Sequence, residues 1–334
     1  MATRSDQERY VEGIRSGDRM VLGKVITLLE SLRPDRRALG RSVLEACLPA
    51  TGQAVRIGIT GPPGVGKSTF VEAYGSWLLE QGIRRLAVLA VDPSSQLSGG
   101  SILGDKTRMA GLSADDRVFI RPSPAGSSLG GVSHATREVA LLCEAAGYDR
   151  ILIETVGVGQ SEVSVHSMVD CLLLLLLPAG GDELQGMKRG IVELADLIAI
   201  NKADGPLQAI ARQTARQYAG ALHLFPPKAD GWSPVVSTCS ARTGEGIDVL
   251  GRQLEDCLRH GRATGWLQRR RTAQNRYWMR HLLEKGLQEL LLSAPVLGAQ
   301  FRQLEQDVSE GRMTPAAAAA ALLGQLTLRP SDPG

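Results

Sequence analysis

At 334 residues, 43% of them hydrophobic, the chain can bury one large core and carry helical additions around it. Its 38 basic and 35 acidic residues leave a formal charge of only +3 and its aromatic content is 4%, so it carries neither the electrostatic footprint nor the stacking platforms of a nucleic-acid binder. Five cysteines (Cys47, Cys143, Cys171, Cys239 and Cys257) are odd in number, widely spread and without a C-x-x-C pair, which argues against a disulfide framework or a four-cysteine zinc site and reads as reduced cytosolic thiols.

Taken in order, residues 1–9 are polar and lack the apolar core of a secretion signal, so a cytoplasmic protein with no membrane span is expected. Apolar residues recur at helical spacing over 7–14 and 18–32, with Asp18 as a candidate N-cap, and predict a helical arm occupying residues 1–50. From there short apolar runs alternate with helix-like segments: 55–60, 85–91, 118–121, 150–154, 171–177, 197–201 and 234–238. That rhythm predicts an α/β domain over 51–258, built on a doubly wound, mostly parallel sheet. The leucine run at 171–177 is too short to cross a bilayer and reads as a strand buried on both faces. Beyond about Gly246 the pattern becomes helical. Helices are expected at 266–292, at 299–308 and, after the Thr314-Pro315 start signal, at 316–328, within a third region spanning 259–330. Arg269, Arg270 and Arg271 read as a solvated helix face, and 328–334 as a disordered tail.

In such sheets ligands collect at the carboxyl ends of strands, and there the sequence is dense in chemistry. After the first strand stands Gly61-Pro62-Pro63-Gly64-Val65-Gly66-Lys67-Ser68-Thr69, a complete phosphate-binding loop. Its glycines let successive backbone N–H groups turn toward phosphate, Lys67 supplies a point charge, and the Ser68 hydroxyl can ligate Mg²⁺. After the sixth strand comes Asn201-Lys202-Ala203-Asp204, the N-K-x-D arrangement of guanine readers. A carboxylate at Asp204 can accept from both the ring N–H and the exocyclic amine of guanine, a donor pair adenine lacks. Ser240, Ala241 and Arg242 open an S-A-x-x-G loop after the last strand, expected to buttress the base through backbone groups.

Asp92, in the string Val91-Asp92-Pro93-Ser94-Ser95, ends the second strand as a candidate metal carboxylate. The glycine-rich, charged stretch 99–109 that follows adds Asp105 as a second, with Lys106 and Arg108 as possible charge stabilisers. Glu154-Thr155-Val156-Gly157 stands where D-x-x-G senses a γ-phosphate: Glu154 would reach the metal through water and the Gly157 N–H would contact phosphate. Where Ras-like enzymes place a water-orienting Gln immediately after that glycine, this chain has Val158, with Gln160 two residues later. Slow intrinsic hydrolysis accelerated by a partner is the natural expectation. The acidic segment 178–188 is longer than a connection needs and reads as a further switch.

Together the strings at 61–69, 91–95, 104–109, 154–162, 181–186 and 201–204 resemble the MeaB/ArgK/MMAA family of GTPases, over roughly residues 5–325. The resemblance implies a homodimer formed through the C-terminal helices, GTP hydrolysis to GDP with Mg²⁺, and a chaperone role toward an adenosylcobalamin-dependent acyl-CoA mutase, methylmalonyl-CoA mutase or a sister enzyme. It would gate cofactor loading and protect or reactivate the mutase. Carried over by motif, Lys67, Asp92, Asp105 and Glu154 form the catalytic set, Ser68, Asp92, Asp105 and Glu154 the metal environment, and 181–186 the switch facing the mutase. Two alternatives stand beside it, a nickel-insertion metallochaperone GTPase and a protein kinase linked to amino-acid transport. Against the first, His134, His166, His223, His260 and His281 form no cluster, and no His/Cys-rich tract precedes the phosphate loop. Against the second, the sequence displays no acceptor site.

Overall fold

The leucine run forms a strand whose successive side chains serve two different cores. Leu173 and Leu175 pack with one helical layer and Leu174 and Leu176 with the other, so the run is continuous because both faces are covered. This strand, β5 (Cys171–Leu176), belongs to a seven-stranded sheet ordered β3-β2-β4-β1-β5-β6-β7. The others are β1 (Val55–Thr60), β2 (Leu86–Asp92), β3 (Val118–Pro124), β4 (Arg150–Thr155), β6 (Leu197–Ile200) and β7 (Val235–Thr238). Every pairing is parallel, where the sequence pattern led us to expect a mostly parallel sheet. All seven predicted runs are strands. The computed structural model describes residues 4–92, 109–124, 134–155, 161–178, 189–223, 225, 228 and 231–324.

Thirteen helices accompany the sheet among the described residues: α1 (Arg4–Arg15), α2 (Arg19–Leu29), α3 (Pro34–Cys47), α4 (Lys67–Glu80), α5 (Ala110–Ala114), α6 (His134–Ala145), α7 (Ser161–His166), α8 (Arg189–Leu194), α9 (Gln208–Leu222), α10 (Ile247–Ala263), α11 (Trp266–Ser293), α12 (Pro295–Ser309) and α13 (Pro315–Leu323). Helices α4 and α10 cover one face through Phe70, Tyr74, Leu250 and Leu254, and α8 and α9 cover the other through Ile191, Val192, Ala211 and Tyr218. None of these helices is long and apolar enough to cross a membrane.

The arm starts as the sequence predicts: the Asp18 carboxylate accepts from the Met20 and Val21 N–H groups at 2.7 and 3.1 Å and caps α2. Helix α3 falls within the residues expected to form a helical arm, but its own bounds were not picked out, although Pro34 in its first turn and Asp35 behind it are start signals. Arginines tie the arm to the sheet edge. Arg19 donates to the Val118 carbonyl at 2.8 Å and to that of Asp116 at 3.2 Å, and Arg121 on β3 pairs with Glu30.

The chain divides into two compact units, residues 1–271, which include the arm, and residues 272–334. In the second, Thr314 caps α13 by accepting from the Ala317 N–H at 3.3 Å. The tail 328–334 lies outside the described residues.

At the amino ends of the strands the first unit holds a buried ionic layer. Asp196, fully buried just before β6, accepts from the Leu172 N–H at 2.8 Å, from Lys228 at 2.7 Å and from Arg270 at 2.9 Å. Asp170, equally buried before β5, accepts from the Arg56 N–H at 2.9 Å and from Arg271 Nε at 2.7 Å. Arg56 in turn pairs with Glu144. Here the sequence reading is corrected: of the cluster 269–271 only Arg269 is solvated, while Arg270 and Arg271 are internal clamps on two aspartates. Burial pushes the Asp196 carboxyl up, but Arg270 and Lys228 outweigh it and hold it below its ordinary range.

Candidate nucleotide site

The strand register brings the motif-bearing carboxyl ends side by side. Glu154 on β4 stands opposite Ile59 on β1 and Ala90 on β2, so the residues after β1, β2 and β4 emerge together. The loop 61–66 then turns back over the sheet in a conformation only glycine tolerates at two points. Gly61 has φ 151°, and a Cβ there would lie 2.2 Å from the Leu175 carbonyl oxygen. Gly66 has φ 95°, and its Cβ would come within 2.9 Å of Asn201 Nδ2. Gly66 is also the N-cap of α4, and no side chain caps that helix end. Its partial positive charge and first-turn N–H groups are left to whatever the loop holds.

Within this cradle Lys67 is only 8% exposed, and its ammonium donates to the carbonyls of Gly61 at 2.9 Å and Pro62 at 3.1 Å. Burial lowers its pKa and the nearby Glu154 carboxylate partly opposes that shift. A buried ammonium resting on neutral carbonyls is poised to exchange them for phosphate oxygens. The Ser68 hydroxyl donates to Glu154 Oε1 at 2.7 Å, with Glu154 itself buried. Two hard oxygen donors, one of them anionic, thus meet beside the phosphate loop, and this donor set suits Mg²⁺. Asp92 terminates the neighbouring β2 in backbone, which puts it on the same rim. The Asp92 side chain, Asp105, Lys106, Arg108, Gly157, Val158, Gln160 and the segment 179–188 lie outside the described residues.

On the other side of β1 stands the second half of the site. Asn201 is almost fully buried and points in two directions: its Nδ2 donates to the Val65 carbonyl at 2.8 Å, and its Oδ1 accepts from the Ala241 N–H at 3.0 Å. It therefore splices the phosphate loop to the loop after β7. Lys202 is exposed and takes a left-handed φ of 59°. The Ala203 N–H donates to the Cys239 carbonyl at 2.9 Å, tying the two loops again.

Asp204 accepts at Oδ1 from the Ser240 hydroxyl at 2.7 Å and at Oδ2 from Arg242. Ser240 first, then Arg242, hold its pKa below the usual carboxylate range, so it stays ionised at neutral pH. The loop 240–244 was expected to act through backbone groups alone; the side chains of Ser240 and Arg242 are an addition. Cys239 is buried, its thiol pushed up to about 12, and it packs rather than reacts. A cavity of about 580 Å³ opens between these groups, lined by Gly66, Thr69, Asn201, Lys202, Asp204 and Leu207 among others.

A phosphate-loop cradle with Ser68 and Glu154 paired beside it, and an ionised carboxylate across a cavity from Gly66 and Thr69, are the parts a guanine-nucleotide site needs. The family model described as methylmalonyl Co-A mutase-associated GTPase MeaB matches residues 22–296. The chain belongs to the MeaB family. It is 51% identical to a putative GTPase of Caulobacter vibrioides, over 94% of this chain and 95% of that one. It is 45% identical to the mouse methylmalonic aciduria type A homolog, mitochondrial, covering 95% of this chain and 78% of the relative, and 44% identical to the GTPase ArgK of Escherichia coli over 91% and 92%. Among solved structures, a crystal structure of LAO/AO transport system kinase superposes with a TM-score of 0.78 at 36% identity, covering 97% of this chain and 98% of that one. As a member of this MeaB family, the chain is a P-loop GTPase that hydrolyses GTP.

Proposed function

We propose that this GTPase is a nucleotide-operated chaperone of an adenosylcobalamin-dependent acyl-CoA mutase, methylmalonyl-CoA mutase or a sister enzyme, gating cofactor loading and protecting or reactivating the mutase. The observation that carries the reading is a phosphate cradle held ready, Lys67 on its own loop carbonyls and Ser68 on Glu154, in a chain with Val158 in the place of a water-orienting Gln. Machinery that binds well and hydrolyses slowly suits a switch read by a partner. The family's description and the name of the mouse relative both point to methylmalonyl-CoA metabolism as the setting.

In this mechanism the loop 61–69 wraps the phosphates and Lys67 leaves the Gly61 and Pro62 carbonyls for them. Ser68 and Glu154, with Asp92 and Asp105, would hold Mg²⁺, the Ser68 hydroxyl giving up its bond to Glu154. Bound there, Mg²⁺ would neutralise charge on the β- and γ-phosphates. Asp204 accepts from the guanine edge while Asn201 keeps the base loop against the phosphate loop. The Gly157 N–H senses the γ-phosphate, and the segment 181–186 carries that state to the mutase.

A homodimer through the C-terminal helices fits the surface of the second unit. Met279, Leu283, Leu287 and Leu290 recur along one side of α11, each more than half exposed, an apolar stripe that a soluble monomer has no reason to keep.

Single-turnover hydrolysis of GTP, measured alone and with purified methylmalonyl-CoA mutase, tests the reading. Acceleration by the mutase is expected. A rate indifferent to every adenosylcobalamin-dependent acyl-CoA mutase tried would sink it.

A further inference from the structure

The sheet's two outer strands are finished differently. On the β3 side the Val118 carbonyl accepts from Arg19 and Arg121 pairs with Glu30, so the arm covers the edge. On the β7 side no strand pairs with the outer backbone among the described residues. The Cys239 N–H donates inward to the Ile200 carbonyl at 2.9 Å, and strand alternation therefore aims the N–H groups of Val236 and Thr238 outward. A cavity of about 500 Å³ runs along them, walled by Arg212 and Arg216 of α9 on one side and Val249 of α10 on the other. Both arginines are exposed, and neither makes an ion pair or hydrogen bond among the described residues. The one acidic group in the wall, Glu245, is engaged by Gln208 at 3.3 Å.

Natural sheets cover or charge their edges because open N–H and C=O groups template pairing, and an edge left bare beside two cations on one wall selects what pairs with it. We propose that the β7 edge is a docking site for an extended, acidic peptide segment of a protein partner. The segment lies along Val236 and Thr238 as an eighth strand, with its carboxylates on Arg212 and Arg216. Backbone hydrogen bonds supply the affinity and the two guanidinium groups supply the preference for acid.

The test uses the full chain and two synthetic peptides, one alternating valine with glutamate and one alternating valine with lysine, read by fluorescence anisotropy and by amide hydrogen exchange. The glutamate peptide should bind saturably and slow exchange at Val236 and Thr238, and the lysine peptide should not. Arg212→Glu with Arg216→Glu should weaken the glutamate peptide about tenfold, since each exposed pair contributes little on its own. Val236→Pro removes an outward N–H that no inner pairing uses, so the protein should stay folded and lose the protection at the edge. Equal binding of both peptides, or binding with no change at Val236 and Thr238, would overturn the proposal. So would edge protection that rises with protein concentration in the absence of peptide, which would assign the edge to a second copy of the chain.

Discussion

The carboxyl and amino ends of the central strands both bury charge, and they resolve it in opposite ways. At the amino end the Asp170 and Asp196 carboxylates are met within the chain by Arg271, Arg270 and Lys228, so opposite charges are paired inside the fold, although Arg270 Nε and Nη2 are buried without a hydrogen-bond partner among the described residues. At the carboxyl end Lys67 rests on two neutral carbonyls and the Ser68 hydroxyl on a carboxylate. Electrostatics closed within the fold make a foundation, whereas electrostatics closed only by a ligand make a site.

Substitutions that keep the two ends apart should therefore have separable consequences. The largest effect belongs to Asp196→Ala, which strands Arg270 and Lys228 without their carboxylate and should cost about 3–5 kcal/mol of folding stability. Urea denaturation reads that loss, and GTP affinity of the folded fraction should stay as in the wild type. A stable variant would mean that the layer is ornamental. Lys67→Ala should do the reverse, weakening GTP about a hundredfold through the loss of charge-assisted hydrogen bonds worth about 2–3 kcal/mol, with little change in Tm. A calorimetric titration with unchanged affinity would remove the lysine from phosphate binding.

The effect that is smallest near neutral pH, and grows on acidification, is set by titration. His166, at the end of α7, is held down to about 4 by burial and then by Arg270, against the opposing pull of Asp196. Its ordinary value is about 6.5, so as pH falls through that value the unfolded chain takes up the proton and the folded chain does not. Stability should be flat above about pH 6.5 and decline toward pH 4, by up to about 3 kcal/mol from this residue. His166→Gln should flatten that decline, and equal slopes in the two proteins would show that the imidazole is not buried neutral.

Most of the sheet was legible because strands covered on both faces read as continuous apolar runs, and the phosphate loop because its chemistry is contiguous in sequence. The pairing of Asn201 with Val65 and the clamps of Arg270 and Arg271 were not, since they join residues 136, 74 and 101 positions apart. Nothing local distinguishes an arginine that will meet a buried aspartate from one that will meet water. The bounds of helix α3 inside the expected arm were hidden for another reason: its buried side chains Val43, Leu44 and Cys47 lie in the second half, so the first half shows little helical periodicity. The same nonlocality concealed the Ser240 and Arg242 side chains at Asp204, although both loops were picked out as motifs.

Asn201 carries a consequence beyond its own contacts. Its two hydrogen bonds, 2.8 and 3.0 Å, fix how far the loop that cradles phosphate lies from the loop that follows β7. The amide works as a calliper. A nucleotide spanning both loops, as proposed above, would be gauged for length as well as for its base edge, so a purine seated in the wrong register would also displace its own phosphates.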